Sequence, residues 1–188
     1  MPVVLYAPYF RRLVLHQDGP ERHLRTPQLR VMTMSTLSEL TSKADYIASK
    51  NSHLKSQWRT YQNSLTQAIT HSNKKINHEF SCGEEQDIRF TLFNHFSVSI
   101  HLSDDFYSQD IVYSLNMAHN AEEPNFRVFA HATLSEEGRV DGSVDIKDKD
   151  AVLEHYLNKI SAIYQCIFDS LKTNQPIHSQ LDKLLSHA

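Results

Sequence analysis

From Leu37 to Phe80, apolar residues recur in alternating steps of three and four: Leu37, Leu40, Ala44, Ile47, Leu54, Trp58, Tyr61, Leu65 and Ala68, with Ile69, Ile76 and Phe80 following. Asn51 and Ser72 are the polar breaks in this register. The stripe predicts a helix, and its spacing is that of a coiled-coil seam. Thr36-Leu37-Ser38-Glu39 has capping-box spacing, and Gly83 stands just past the last apolar residue, where a left-handed cap is favoured. Roughly 45 residues rising 1.5 Å each make a helix of about 70 Å. A compact domain of about 155 residues has a radius of gyration of only about 15 Å. Such a helix must overhang its domain, break near Asn51 or Ser72, or pack on another chain.

The middle of the chain changes to a period of two. Ile88, Phe90 and Leu92 form one inward row, Phe96, Val98, Ile100 and Leu102 a second, and Ile111, Tyr113, Leu115 and Met117 a third. Phe126, Val128, Ala130, Ala132 and Leu134 make a fourth, and Val140, Val144 and Ile146 a fifth in which Gly142 marks a bulge or close approach. Alternation of this kind belongs to strands with one buried face, the habit of antiparallel sheets. Asn94-His95 and Ser135–Gly138 are short enough to join neighbours as hairpins. Phe93, Val112 and Phe129 are assigned to the opposite face. A closing helix then starts at Asp148 or Asp150 and runs to about Thr173, with Val152, Tyr156, Ile160, Ile163 and Ile167 on a broad apolar face. The fold class is α+β: a long N-terminal helix, an antiparallel meander of about five strands, and a C-terminal helix. Trp58 and Tyr156 are expected in one core between helices and sheet.

Basic-residue usage divides the chain. Residues 1–33 hold four of the six prolines and five arginines but no lysine, while residues 34–188 hold ten lysines and four arginines. This switch predicts a disordered leader over 1–33, or a start of translation at Met32 or Met34. A single α+β regulatory domain is expected over 34–176, with a tail at 177–188 that adds one short helix or frays. Without the leader the charge is −6, a poor basis for an affinity that must come from neutralising phosphates. Four glycines in 188 residues, with no GxGxxG, GxxxxGK[ST] or GxSxG, argue against nucleotide binding and serine-hydrolase chemistry. Two cysteines fit a reducing compartment, and no apolar run reaches the roughly 20 residues needed to span a bilayer.

Candidate chemistry is sparse. His78 and Cys82, four residues apart, would share a helix face with His71 one heptad away, but two donors do not make a zinc site. The adjacent carboxylates Glu84-Glu85, Asp104-Asp105, Glu122-Glu123 and Glu136-Glu137 read as solvated turns, since nothing marks a pocket that would shift their pKa values. Asn73-Lys74-Lys75 is a weak signal for nucleic acid. Arg89 and Arg127 are the strand-borne arginines that a metabolite-sensing module would need before the last strand. No catalytic, cofactor-binding or metal residue is assigned. The chemistry left is protein contact, and Leu40, Ala44 and Ile47 are its candidates, because the Trp58–Leu65 half of the stripe can serve the sheet.

The blocks Ser42-Lys43-Ala44-Asp45-Tyr46-Ile47-Ala48, Gln57-Trp58, Asn63-Ser64-Leu65, Asp141-Gly142 and Val152–Ile160 make the chain resemble the formate hydrogenlyase regulatory proteins of enteric bacteria. The likeness covers roughly Met34 to Pro176. It implies a cytoplasmic negative regulator that counteracts the formate-responsive, sigma-54-dependent transcriptional activator, and it supplies no catalytic or ligand motif. The implied partner is that activator. A homodimer is the other occupant considered for the stripe, a membrane is not expected, and direct DNA contact at the activator's upstream site is the alternative mechanism. The acidic charge favours the protein partner.

Overall fold

The structure, a computed structural model, describes residues 28–81, 87–118 and 123–186, without the side chains of 28–35, 73 and 74. The chain divides into two units, Met1–Ser42 and Lys43–Ala188. Of the first unit, residues 28–42 are described; they are helical, with Leu37 and Leu40 exposed. Most of the expected leader therefore lies outside the described residues. Among the described residues no helix is long and apolar enough to cross a membrane.

The first helix, α1, is Gln28–Ile76 and continues through Asn51 and Ser72, so neither polar position breaks it. It begins well before Thr36, which places Thr36 and Glu39 inside the helix instead of at its cap. It also stops before Phe80. Asn77 takes a left-handed conformation (φ 47°), which Asn tolerates better than most residues, and this ends the helix. The backbone then extends as β1 (His78–Ser81). Gly83 and Cys82 lie outside the described residues, and a shared helix face for His78 and Cys82 is excluded because His78 sits in a strand.

β1 joins β2 (Ile88–Leu92), β3 (Phe96–Leu102), β4 (Asp110–Asn116) and β5 (Phe126–Thr133) in an antiparallel sheet whose spatial order is its chain order. The sheet has the expected five strands, but with a different membership. Residues 140–146 form no part of it; β6 (Arg139–Val140) and β7 (Val144–Asp145) are a separate small hairpin. Asp141 (φ 48°) and Gly142 (φ 71°) are both left-handed, and the Ser143 N–H closes the turn on the Val140 carbonyl at 3.2 Å. No atom lies within 4 Å of a Cβ built on Gly142, so backbone conformation and not close approach requires it.

The inward rows of β2, β3 and β4 are buried as read, save that Leu102 is half-buried, but β5 is not uniform. Its pairing with β4 shifts between Tyr113 and Ser114: Tyr113 opposes Ala130, while Ser114 opposes Val128. The extra residue is Phe129. One inserted residue exchanges the two faces of a strand, so Ala130 and Ala132 face the core as expected while Val128 is turned outward. Phe129, assigned outward from the alternation, instead packs on the core with its ring 6.1 Å from Tyr113. Val112 does lie on the outer face, opposite His101 and His131, but is buried there.

The core is enclosed by α1, the sheet and α2 (Lys149–Lys172), with α3 (Ile177–Leu185) closing one side through buried Leu181 and Leu185. Asp148 caps α2 by accepting the Ala151 N–H at 3.1 Å. Burial of Val152, Tyr156, Ile160, Ile163 and Ile167 holds that helix down, at about 1.5–3 kcal/mol per large apolar side chain. Trp58 and Tyr156 do share this core. Trp58 stacks on Tyr61 (5.5 Å), the Tyr61 hydroxyl meets that of Tyr113 at 2.8 Å, and Tyr113 stacks on Tyr156 (6.2 Å). Burial raises the pKa of all three tyrosines, which remain neutral donors.

Candidate partner-binding surface

Two features bound the usable surface of α1. The first is a latch. Glu136, in the turn between β5 and β6, accepts hydrogen bonds on its carboxylate from Lys50 and, at 2.7 Å, from the Tyr107 hydroxyl. Its main-chain carbonyl accepts from His53 Nε2 (2.8 Å) and Gln57 Nε2 (3.2 Å). The Lys50 and Tyr107 bonds hold the Glu136 carboxyl below its ordinary pKa, and the same contact raises Lys50. Gly138, at φ 74°, lets the turn come this close, because a Cβ there would stand 2.9 Å from Gln57 Oε1 and 3.1 Å from Ile146 Cδ1.

The second feature is the stretch before the latch. Every residue from 36 to 49 is exposed. Leu40 is 57% and Ile47 48% accessible, Ala44 is exposed, and Tyr46 beside them is 65% accessible with Lys50 Nζ 5.7 Å from its ring centroid. From Leu54 onward the same spacing is buried by the chain itself. The three candidate contact residues are thus accessible side chains on one helix.

The other residues considered from sequence do not assemble into a site. His71 is exposed and hydrogen-bonds the Gln67 carbonyl at 2.6 Å. His78 is fully buried. Tyr164 donates its one hydroxyl proton to the Ile76 carbonyl (2.6 Å), so His78 Nδ1 carries the proton toward Tyr164 (3.4 Å) and Nε2 accepts from the Tyr156 hydroxyl (2.8 Å). Burial lowers the His78 pKa to about 4, and it is neutral at pH 7. Arg89 pairs with Asp87 (3.6 Å) and lies over the Phe126 ring; Arg127 is exposed. Glu84, Glu85 and Glu122 lie outside the described residues, as does the side chain of Lys74, while Lys75 is exposed. Among the described residues no group of three or more His, Cys, Asp or Glu side chains could hold a metal ion.

Sequence reasoning missed the latch and one junction. Asp141 Oδ2 accepts from His155 Nε2 (3.0 Å) and Lys159 Nζ (2.9 Å), and Oδ1 takes the Thr133 N–H (2.8 Å). Desolvation opposes ionisation, but these bonds outweigh it and hold the carboxyl at about 2. The junction joins two separate sequence blocks, Asp141-Gly142 and Val152–Ile160, that carried the family likeness; no spacing signal could have paired them. A shallow apolar groove of about 490 Å³ on α2, lined by Ile76, Leu157, Ile160, Tyr164 and Phe168 among others, was equally invisible.

The helix-and-sheet core leaves an apolar stripe of α1 exposed, a kind of surface that in soluble proteins commonly marks contact sites. The comparisons with known proteins identify the group. The family model described as transcriptional repressor of hyc and hyp operons matches residues 35–182, and the chain belongs to that family. It is 39% identical over 149 residues to the formate hydrogenlyase regulatory protein HycA of Escherichia coli K12, covering 79% of this chain and 95% of that protein. The same protein of Shigella flexneri matches with the same identity and coverage. No solved structure matches the chain.

Proposed function

We propose that the protein is a negative regulator of the formate hydrogenlyase system that works as an anti-activator: it binds the formate-responsive, sigma-54-dependent activator through Leu40, Ala44 and Ile47. The observation that carries this reading is the exposure of the whole stretch 36–49, although it repeats the apolar spacing that is buried further along α1. An isolated helix of about 12–15 residues is marginal in water, and an exposed apolar stripe on one is a helix-recognition surface. The net charge of −6 over residues 34–188 favours a protein over phosphate as the ligand.

The test is a reconstituted mixture of protein, activator and upstream DNA, repeated with Leu40→Asp combined with Ile47→Asp. Both positions are exposed, so the double variant keeps its circular dichroism and melting profile. The native chain is expected to retain activator at high salt, and the variant to lose it together with repression. A variant that represses normally would remove this surface from the mechanism. A native chain that shifts the upstream DNA alone, with affinity falling steeply as salt rises, would replace activator binding by DNA competition.

A further inference from the structure

Beyond the latch, on the buried half of α1, lies a cleft of about 470 Å³, within the range of ligand pockets. Buried Leu54 and Trp58 line it from α1. One wall carries Lys55 and Arg59, four residues apart and so on one helix face. The other wall is the loop between β3 and β4, with Asp104, Asp105 and, exposed to 72%, Phe106. Asp87 also faces the cleft but is taken by Arg89 at 3.6 Å. The remaining four charges make no side-chain hydrogen bond or ion pair among the described residues, so the cationic and anionic walls do not pair with each other.

A cationic pair from α1 and an anionic pair from the β3–β4 loop, not paired with each other among the described residues, share this lining with buried Leu54 and Trp58, and so define the complement: an acidic group, an apolar residue and a basic group. We infer that this cleft receives a polypeptide segment of the protein partner, carrying one acidic and one basic side chain on either side of an apolar anchor. The inference rests on the proposed protein-binding function and deepens it by giving the chemistry of the bound segment. A free zwitterion is the weaker occupant. The wall charges are solvent-exposed and screened, so they contribute little unless apolar area is buried with them, and that is what the Trp58 floor and the Phe106 rim provide for a chain segment. The position fits as well: Asn51, which lines the cleft, follows Ile47 by one helical turn on α1.

Trp58 is the one tryptophan of the chain, so its emission reports on the cleft directly. The full-length protein is titrated with the blocked peptide acetyl-Asp-Leu-Leu-Arg-amide, with its neutral counterpart acetyl-Asn-Leu-Leu-Gln-amide, and with free arginine. The charged peptide is expected to shift Trp58 emission saturably, the other two not. Lys55→Glu with Arg59→Glu, or Asp104→Lys with Asp105→Lys, should each abolish that shift and weaken binding of purified activator at least tenfold, with melting temperature unchanged. Equal responses to free arginine and to the charged peptide would overturn the inference in favour of a small zwitterion. Undiminished activator binding by both wall variants, with no response to the charged peptide, would overturn it while leaving the anti-activator reading intact. Failure of the native chain to bind activator would defeat that reading, whereas the peptide response, lost in both wall variants, would still support the cleft.

Discussion

Two stretches of α1 have the same spacing of apolar residues and opposite fates. Leu54, Trp58, Tyr61, Leu65 and Ile69 are between 0% and 5% accessible, whereas Leu37, Leu40 and Ile47 are between 48% and 68%. The composition of the stripe does explain part of the difference. The buried stretch holds the aromatics, whose large area and polar tips find partners in Tyr113 and the sheet. The stripe positions of the exposed stretch, Leu37, Leu40, Ala44 and Ile47, are all aliphatic. Periodicity specifies which face of a helix is apolar; what covers that face is decided by residues far away in sequence.

The contrast breaks most severely at Trp58. Trp58→Ala removes the ring that stacks on Tyr61 and should destabilise the protein by about 3–5 kcal/mol in urea unfolding. A parent-like midpoint would show that the buried stretch is no better covered than the exposed one.

Acid attacks the same core from the other side. His78 is neutral when folded, with a pKa of about 4 against 6.5 for the free side chain. Between those values the unfolded chain binds more protons, so stability is intact above pH 6.5 and falls as pH drops toward 4, by about 3 kcal/mol in all. Urea midpoints measured from pH 7 to pH 4 should show this slope, and His78→Leu should flatten it while lowering the value at pH 7.

A smaller effect is expected at the latch. Gly138→Ala places a Cβ at a left-handed position, 2.9 Å from the end of Gln57, and should cost about 1–2 kcal/mol in chemical denaturation. Smallest of all is Ile47→Ala. With the side chain half exposed, its stability change should stay within about 0.5 kcal/mol. A larger loss would mean that the chain itself covers this residue in solution.

The periodic parts of this fold were legible before any coordinates. Most inward positions of β2 to β4, a start of α2 at Asp148 or Asp150, and a core shared by Trp58 and Tyr156 all followed from spacing and capping chemistry. Four features did not. The helix-to-strand change at Asn77 falls inside the predicted apolar stripe, because Phe80 suits either element. The bulge at Phe129 leaves the alternation intact in the sequence and only exchanges the faces in space. The latch joins Glu136 to Lys50, 86 residues away, and the junction joins Asp141 to His155 and Lys159 across the start of α2; no periodicity in the sequence encodes such pairings. The candidate contact residues were readable as apolar positions on a helix too long for one small sheet to cover.

The tyrosine contact of the buried stretch of α1, and the histidine contact just beyond that helix, also set a timetable. Tyr61 finds Tyr113 52 residues later, and His78 finds Tyr156 78 residues later. At about 5–20 residues per second, a ribosome needs roughly 3–10 s to deliver Tyr113 after Tyr61. During that interval both stretches of the stripe are equally bare, and the future core of α1 is as open to solvent as the part that stays exposed. The difference between the two stretches is therefore established late in synthesis, when the sheet and α2 withdraw one from solvent and leave the other exposed.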